Sequence, residues 1–357
     1  MSKKISIINN EKMIRKYTTY IREVKGLSEA TEIIFLRSIR KFNELFKKDY
    51  KEITIKSISD VKNMMKEKLG MRTYIMYMKQ IKGFFSWLSV QRGYKTNLAD
   101  KVDYFSLSRK DKAIEQASEI KEFPTLEYVK QLVSSITGTT EIDMRDRAMI
   151  ILLCLSGIRD SAIASLPMKA IDIKKMIVKQ NPTYGIKTKF AKTIYSRIFN
   201  FDKDLKSMFI DWYMYLQNKG FTDTDPLFPQ GEITKDKNNL AFKKAENVTR
   251  KQISSKAVRS ILKRRAKEAN LGYYSPHRYR DLAVNLALAK AKTPEEMKVI
   301  SQNFGHQDVA TTLDCYSNFK PETLIKKLAE IDKDDTEEQN FHFDGQIISI
   351  EEIKKVG

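Results

Sequence analysis

Ile171-Asp172-Ile173-Lys174-Lys175-Met176-Ile177-Val178 and, beyond a turn, Thr193-Ile194-Tyr195-Ser196-Arg197-Ile198-Phe199 are where the chain changes its period. Apolar and polar residues alternate here, and β-branched and aromatic side chains dominate, the pattern of half-buried strands. The segment between them, Asn181 to Lys192, is Lys-rich and carries Pro182 and Gly185, as a turn requires. A small antiparallel sheet is predicted here, inside a chain whose other apolar residues fall at helical spacing.

Working outward, Ala148 to Leu155 is a near-continuous apolar run, the mark of a helix buried on most sides and stopped by Gly157. A helix over Leu126, Val129, Val133 and Ile136 precedes it, closed by Gly138, and a short one follows from about Ser161 to Ser165. Downstream helices are predicted at about Asp204–Asn218, Ser255–Asn270, His277–Lys290 and Pro294–Phe304, with two short ones over residues 307–331. Residues 229–252 are polar and Lys-rich and read as a connection.

The first hundred residues read as all helix. Ile14, Tyr17, Ile21 and Val24 share one face, and Ser28 caps a second helix bearing Phe35, Ile39, Phe42 and Phe46. A third runs from about Ser57 to Leu69 and a fourth from about Arg72 to Arg92, with Tyr77, Ile81, Phe84, Phe85 and Leu88 on its buried side. These aromatics are read as core, not as a platform for stacking bases. Residues 101–124 lack a sustained period, end at Pro124 and read as a linker. The organisation expected is a helical domain over 1–100, a linker over 101–124, a second domain over 125–331 and a tail over 332–357. In the tail an acidic stretch, Asp332 to Gln339, precedes a detached apolar strip of Phe341, Phe343, Ile347, Ile348 and Ile350, suited to its own domain or to a neighbouring subunit.

The chain of 357 residues carries 65 Lys and Arg against 45 Asp and Glu, a net charge of +20. Such a charge gathers polyanions and makes nucleic acid the first partner to consider, beside a merely soluble Lys-rich protein. Cys154 and Cys315 lie far apart, with neither metal-ligand spacing nor a disulfide framework. No stretch approaches the roughly 20 apolar residues of a membrane helix, and the first residues lack the apolar core of a secretory signal. A cytoplasmic location without a membrane partner is expected.

Five features bear on chemistry. Gly157-Ile158-Arg159 places an arginine just after the buried helix; Ser275-Pro276-His277-Arg278-Tyr279-Arg280 sets a His-x-x-Arg at a helix start. Gly305-His306 stands at a helix junction, Tyr316 closes Thr311-Thr312-Leu313-Asp314-Cys315-Tyr316, and lysines crowd the turn between the strands. Each alone has an ordinary structural reading. Together they suit a phosphodiester. Guanidinium groups clamp non-bridging oxygens bidentately and stay charged. Histidines handle protons near neutrality, and a tyrosine, weak at its usual pKa near 10, becomes a useful nucleophile inside such a cationic cage.

This order resembles that of the tyrosine recombinase family, which includes phage and conjugative-element integrases and Xer resolvases. Leu155-Ser156-Gly157-Ile158-Arg159 is similar to its first arginine box and Ser275 to Arg280 to its second; Phe304-Gly305-His306 with Ala310 to Tyr316 is similar to its histidine and nucleophile box. The likeness covers roughly residues 125–330, and less specifically the helical first domain. It implies a mainly α fold with a small antiparallel β-sheet: an all-helical core-binding domain plus an α+β catalytic domain, clamping double-stranded DNA. It further implies that Tyr316 attacks the scissile phosphate to leave a 3′-phosphotyrosyl link, with Arg159 and Arg280 stabilising the charge. His277 then assists as base or donor, His306 supports the phosphate, and a turn lysine, Lys192 by register or else Lys189, protonates the leaving oxygen. Neither cofactor nor metal is implied; a homotetramer on DNA and accessory directionality proteins are. The role expected is integration or excision of a mobile element, the alternatives being an Xer-like resolvase or a type IB topoisomerase. One position departs from the pattern. Where the family commonly has Asp or Glu three residues after the first arginine, this chain has Ala162; Asp160 lies next to Arg159 but is expected to point elsewhere.

Overall fold

A computed structural model of the chain describes residues 2–116, 122–188, 192–232 and 245–305, together with 325, 328–329, 341–343 and 346–348. They divide into two units, Met1–Glu119 and Ile120–Gly357. The first unit contains α1 (Ser2–Glu23), α2 (Glu29–Phe46), α3 (Ile55–Lys68), α4 (Met71–Leu88), α5 (Lys95–Leu98) and α6 (Arg109–Gln116). Ser28 caps α2 by accepting from the Thr31 amide, and Thr54 and Ser57 cap α3 reciprocally. The apolar faces of α2 and α4 meet, burying Phe35, Ile39, Phe42, Ile81, Phe84, Phe85 and Leu88. The aromatics are core, as their spacing implied. Tyr77 is only partly buried, its place taken by Tyr74 and Met78. Val24 is 69% exposed because α1 ends one residue before it.

Residues 102–116, expected as linker, instead complete this unit. Val102–Phe105 forms a 3-10 turn whose buried Phe105 ring stacks on Phe85 with centroids 4.3 Å apart. Lys62 donates to the carbonyls of Tyr104 (2.9 Å) and Ser106 (2.6 Å), and buried Asp111 pairs with Lys66 at 2.6 Å. One buried ring and a few polar ties hold the stretch, so no apolar period betrays it.

The second unit is built round α8 (Glu141–Ser156), which follows α7 (Leu126–Ser134) and is buried on every side along Ala148–Ser156. Against it pack α7, α10 (Lys203–Asn218) and α12 (Pro276–Leu288). The other helices are α9 (Asp160–Ala164), α11 (Ser255–Glu268) and α13 (Pro294–Asn303). The predicted sheet is present as β1 (Ile171–Asp172), β2 (Ile177–Gln180) and β3 (Ile194–Arg197), antiparallel in that order, with Gln180 opposite Ile194. A second ladder, β4 (Pro229–Gly231) with β5 (Val248–Gln252), runs through the stretch read as a connection. Only Val248 of β5 is buried, so alternation gave no signal. Glu141 anchors it instead, accepting from the Val248 amide at 2.8 Å and from the Tyr215 hydroxyl at 2.5 Å. In the tail, β6 (Phe341–Phe343) pairs with β7 (Gln346–Ile348). Among the described residues no helix is long and apolar enough to cross a membrane.

Candidate active site

The site grows from the end of α8. Gly157 closes that helix at φ 59°, a conformation open to glycine at little cost. A Cβ there would lie 2.5 Å from the Phe304 ring and 3.0 Å from the Ala283 Cβ, so the backbone passes flush against both. The chain then turns through buried Ile158 to Arg159, the extended N-cap residue of α9. Opposite, Ser275 and Pro276 open α12 with Pro in its first turn, where its missing N–H costs nothing. His277 and Arg280, three apart, fall on one face of that helix.

These residues line one cavity of about 420 Å³, formed by Ile158, Arg159, Asp160, Arg259, Ser275, Pro276, His277 and Arg280. Arg280 lies at its base, 3% exposed. Its guanidinium donates to the Gly157 carbonyl at 2.8 Å and to the Phe304 carbonyl, and sits 5.4 Å from the centre of the Phe304 ring. The arginine is thus held by backbone at the ends of two helices, α8 and α13. On the next turn Asp281 takes Arg278 at 2.5 Å, with His277 Nε2 3.9 Å away.

The pKa of His277 lies below its ordinary value. Burial lowers it, and the positive charges of Arg278, Arg280 and Arg159 add to that against the opposing pull of Asp281. The shift favours the neutral imidazole, the form able to accept a proton. Titration followed by NMR should give His277 a midpoint below the usual 6.5; a midpoint at or above that value contradicts this electrostatic account.

The third arm of the site comes from β3. Ser196 Oγ donates to the Asn303 carbonyl at 2.9 Å, the Arg197 amide donates to Asn303 Oδ1 at 2.5 Å, and Gln180 Nε2 supports Ser196 Oγ at 2.8 Å. Gly305 follows at φ 68°, where a Cβ would meet Ile194 Cδ1 at 2.6 Å. The segment 303–305, immediately before His306 in sequence, is thus fixed to the sheet and to Arg280. Lys192 is exposed and stands two residues before the start of β3. Lys189, His306 and Tyr316 lie outside the described residues, as do most of residues 307–331, where two short helices were predicted.

Two side chains in the cavity wall were not expected there. Asp160, thought to point elsewhere, faces the cavity, because it is the first residue of α9 and its carboxylate turns back over the helix start to accept the Ser161 amide at 2.8 Å. Its Oδ2 accepts from Arg259 Nε at 2.9 Å and Nη2 at 2.7 Å. Ala162, where a carboxylate was missed, is 1% exposed in the core. Nothing local marks Arg259, one basic residue among many on α11; only the fold brings it to Asp160.

Comparison with known proteins gives a consistent result. The model of the phage integrase family matches residues 124–322. In sequence the chain is similar to tyrosine recombinase XerC of Histophilus somni (strain 2336), at 26% identity over 172 residues, 47% of this chain and 55% of that protein. It is also similar to the putative integrase/recombinase y4rA of Sinorhizobium fredii (strain NBRC 101917 / NGR234), at 28% over 170 residues, 45% of this chain and 39% of that one. The chain spans about half the length of the curated relatives it matches. In fold it is similar to the Tn1549 transposon integrase in complex with a circular intermediate DNA, with a TM-score of 0.60, 16% identity, and coverage of 89% of this chain and 99% of that one. A lambda integrase dimer bound to a COC′ core site gives a TM-score of 0.58 and 13% identity, covering 86% and 94%. At these identities the structural likeness is one of fold.

Proposed function

Because the chain belongs to the phage integrase family, we propose that it is a site-specific DNA recombinase, acting in the integration or excision of a mobile element. The observation that carries the reading is the meeting of Arg159, at the start of α9, with His277 and Arg280 of α12 around one cavity. A phosphodiester brings a charge spread over two non-bridging oxygens. Two guanidinium groups and a neutral imidazole are complementary to it as that charge grows.

In the proposed reaction Tyr316 Oη attacks the scissile phosphorus while the bond to the 5′ oxygen breaks. His277 takes up the phenolic proton, and Lys192 delivers a proton to the departing oxygen. The products are a 3′-phosphotyrosyl link and a free 5′ hydroxyl. Arg159 and Arg280 hold the charged pentacovalent state, with His306 as a further support. A 5′ hydroxyl from a partner duplex then attacks the phosphotyrosine and releases Tyr316. One phosphate ester is exchanged for another at each step, so the link itself conserves the energy of the broken bond. Exchange between two duplexes uses four such sites, which makes the working assembly a homotetramer on double-stranded DNA.

The test is covalent capture. Wild-type protein incubated with fragmented DNA from the source genome should leave an adduct at Tyr316, at a definable sequence, and Tyr316→Phe should leave none. Absence of any adduct from the wild type overturns the reading. Likeness to XerC supports an Xer-like resolvase as a second reading. The junction formed between two captured sites separates them, since a resolvase joins like sites and an integrase unlike ones.

A further inference from the structure

The Asp160–Arg259 pair has no part in the mechanism above, yet it forms one wall of the cavity. Arg259 is 58% exposed, whereas Arg280 is buried at the base. The two arginines therefore stand at different depths. A group bound to Arg280 is enclosed, and one bound to Arg259 lies at the rim. Asp160, 20% exposed, takes Nε and Nη2 of Arg259 on a single oxygen, Oδ2. That contact uses one edge of the planar guanidinium and leaves the Nη1 end, with its two N–H groups, for a ligand. It also fixes the side chain between α9 and α11, removing most of the rotamer freedom that a surface arginine would lose on binding.

We propose that Arg259 grips a backbone phosphate flanking the scissile one and that Asp160 is its positioning residue. This inference rests on the DNA-cleaving reading. Successive phosphates of a strand lie too far apart to share one enclosed pocket, so a duplex seated with one phosphate on Arg280 presents its neighbour at the rim. The cost of a carboxylate close to DNA makes sense on the same terms. Asp160 is already saturated by Arg259 and the Ser161 amide, so it offers the strand a held cation rather than a bare anion.

The experiment uses the full chain and a duplex carrying the mapped cleavage site, with a neutral methylphosphonate placed in turn at each phosphate flanking the scissile one. On unmodified DNA, Arg259→Ala should weaken binding about tenfold and lower the salt dependence of binding by about one counterion. At one flanking position the methylphosphonate should weaken wild-type binding comparably and erase the difference between wild type and variant. Arg259→Lys should restore the salt dependence but not the full affinity, since an ammonium cannot be forked by Asp160 while donating onward. Asp160→Asn should weaken binding to the natural duplex and have no further effect in the Arg259→Ala background. Thermal melting checks that each variant is folded. Effects of Arg259→Ala that simply add to the methylphosphonate at every position overturn the proposal, as does unchanged binding. Failure of the wild type to form an adduct at all is a separate result, which removes the recombinase reading instead.

Discussion

Replacing Arg280 with alanine should lower the single-turnover rate of covalent adduct formation by about a hundredfold to a thousandfold, the cost typical of losing one fixed donor to a developing charge. Two properties make this position more sensitive than an ordinary surface arginine. Its guanidinium is enclosed, so water cannot substitute for it cheaply. It is also fixed before substrate arrives, by the carbonyls of Gly157 and Phe304 and by the Phe304 ring. The same anchors give a second expectation. Alanine strands two buried carbonyls, costing about 1–3 kcal/mol apiece where no water reaches them, so melting of the second unit should fall along with activity. Arg280→Lys keeps a charge but cannot hold both carbonyls and a phosphate. It should recover part of the stability and little of the rate. A variant with melting and cleavage both near wild type would mean that Arg280 is not the base of the site.

Asp146→Ala should destabilise the second unit by about 3–5 kcal/mol, the range for removing one partner from a buried charged cluster. Asp146 is fully buried on α8. One oxygen takes Arg145 Nε at 3.0 Å and Nη2 at 2.6 Å; the other takes Arg264 at 2.7 Å and Arg265 at 2.8 Å. Arg265, itself buried, also binds Asp143 at 2.6 Å, and Arg145 reaches the Pro229 carbonyl at 2.9 Å. The cluster ties α8 to α11 and β4, and α11 carries Arg259. Without the carboxylate, three arginines face one another with a single buried anion, Asp143, close by. Denaturant unfolding should show a lower midpoint for the second unit with the transition of the first unchanged. Asp146→Asn, which keeps the shape and loses the charge, should fall between. A loss under about 1 kcal/mol would show that water reaches the cluster and screens it.

The parts of this molecule that a reader of the sequence can find are those encoded by near neighbours. Helical period, the cap at Ser28, the stop at Gly157 and the alternation around Ile177 and Ile194 are all local, and each stands in the structure within a few residues of where it was read. Arg159, His277 and Arg280, which the structure brings round one cavity, each sit in a local phrase at a helix end. What escaped depends on distance along the chain. β5 is held by Glu141, far upstream, rather than by its own apolar residues. The 102–116 stretch is held by single contacts to α3 and α4. Asp160 was placed on the wrong side because a helix wheel does not describe a helix's first residue, whose side chain turns back to the amides. Its partner Arg259 is invisible until α9 and α11 pack.

Gly157 and Phe304 lead to one more consequence. The ring of Phe304 fills the place that a Cβ on residue 157 would need, and its carbonyl shares Arg280 with that of Gly157. Shrinking residue 304 alone cannot make room at 157, because a side chain there would still press on Ala283 and hold a left-handed backbone at φ 59°. This corner is therefore expected to keep its glycine while the surface around it diverges freely.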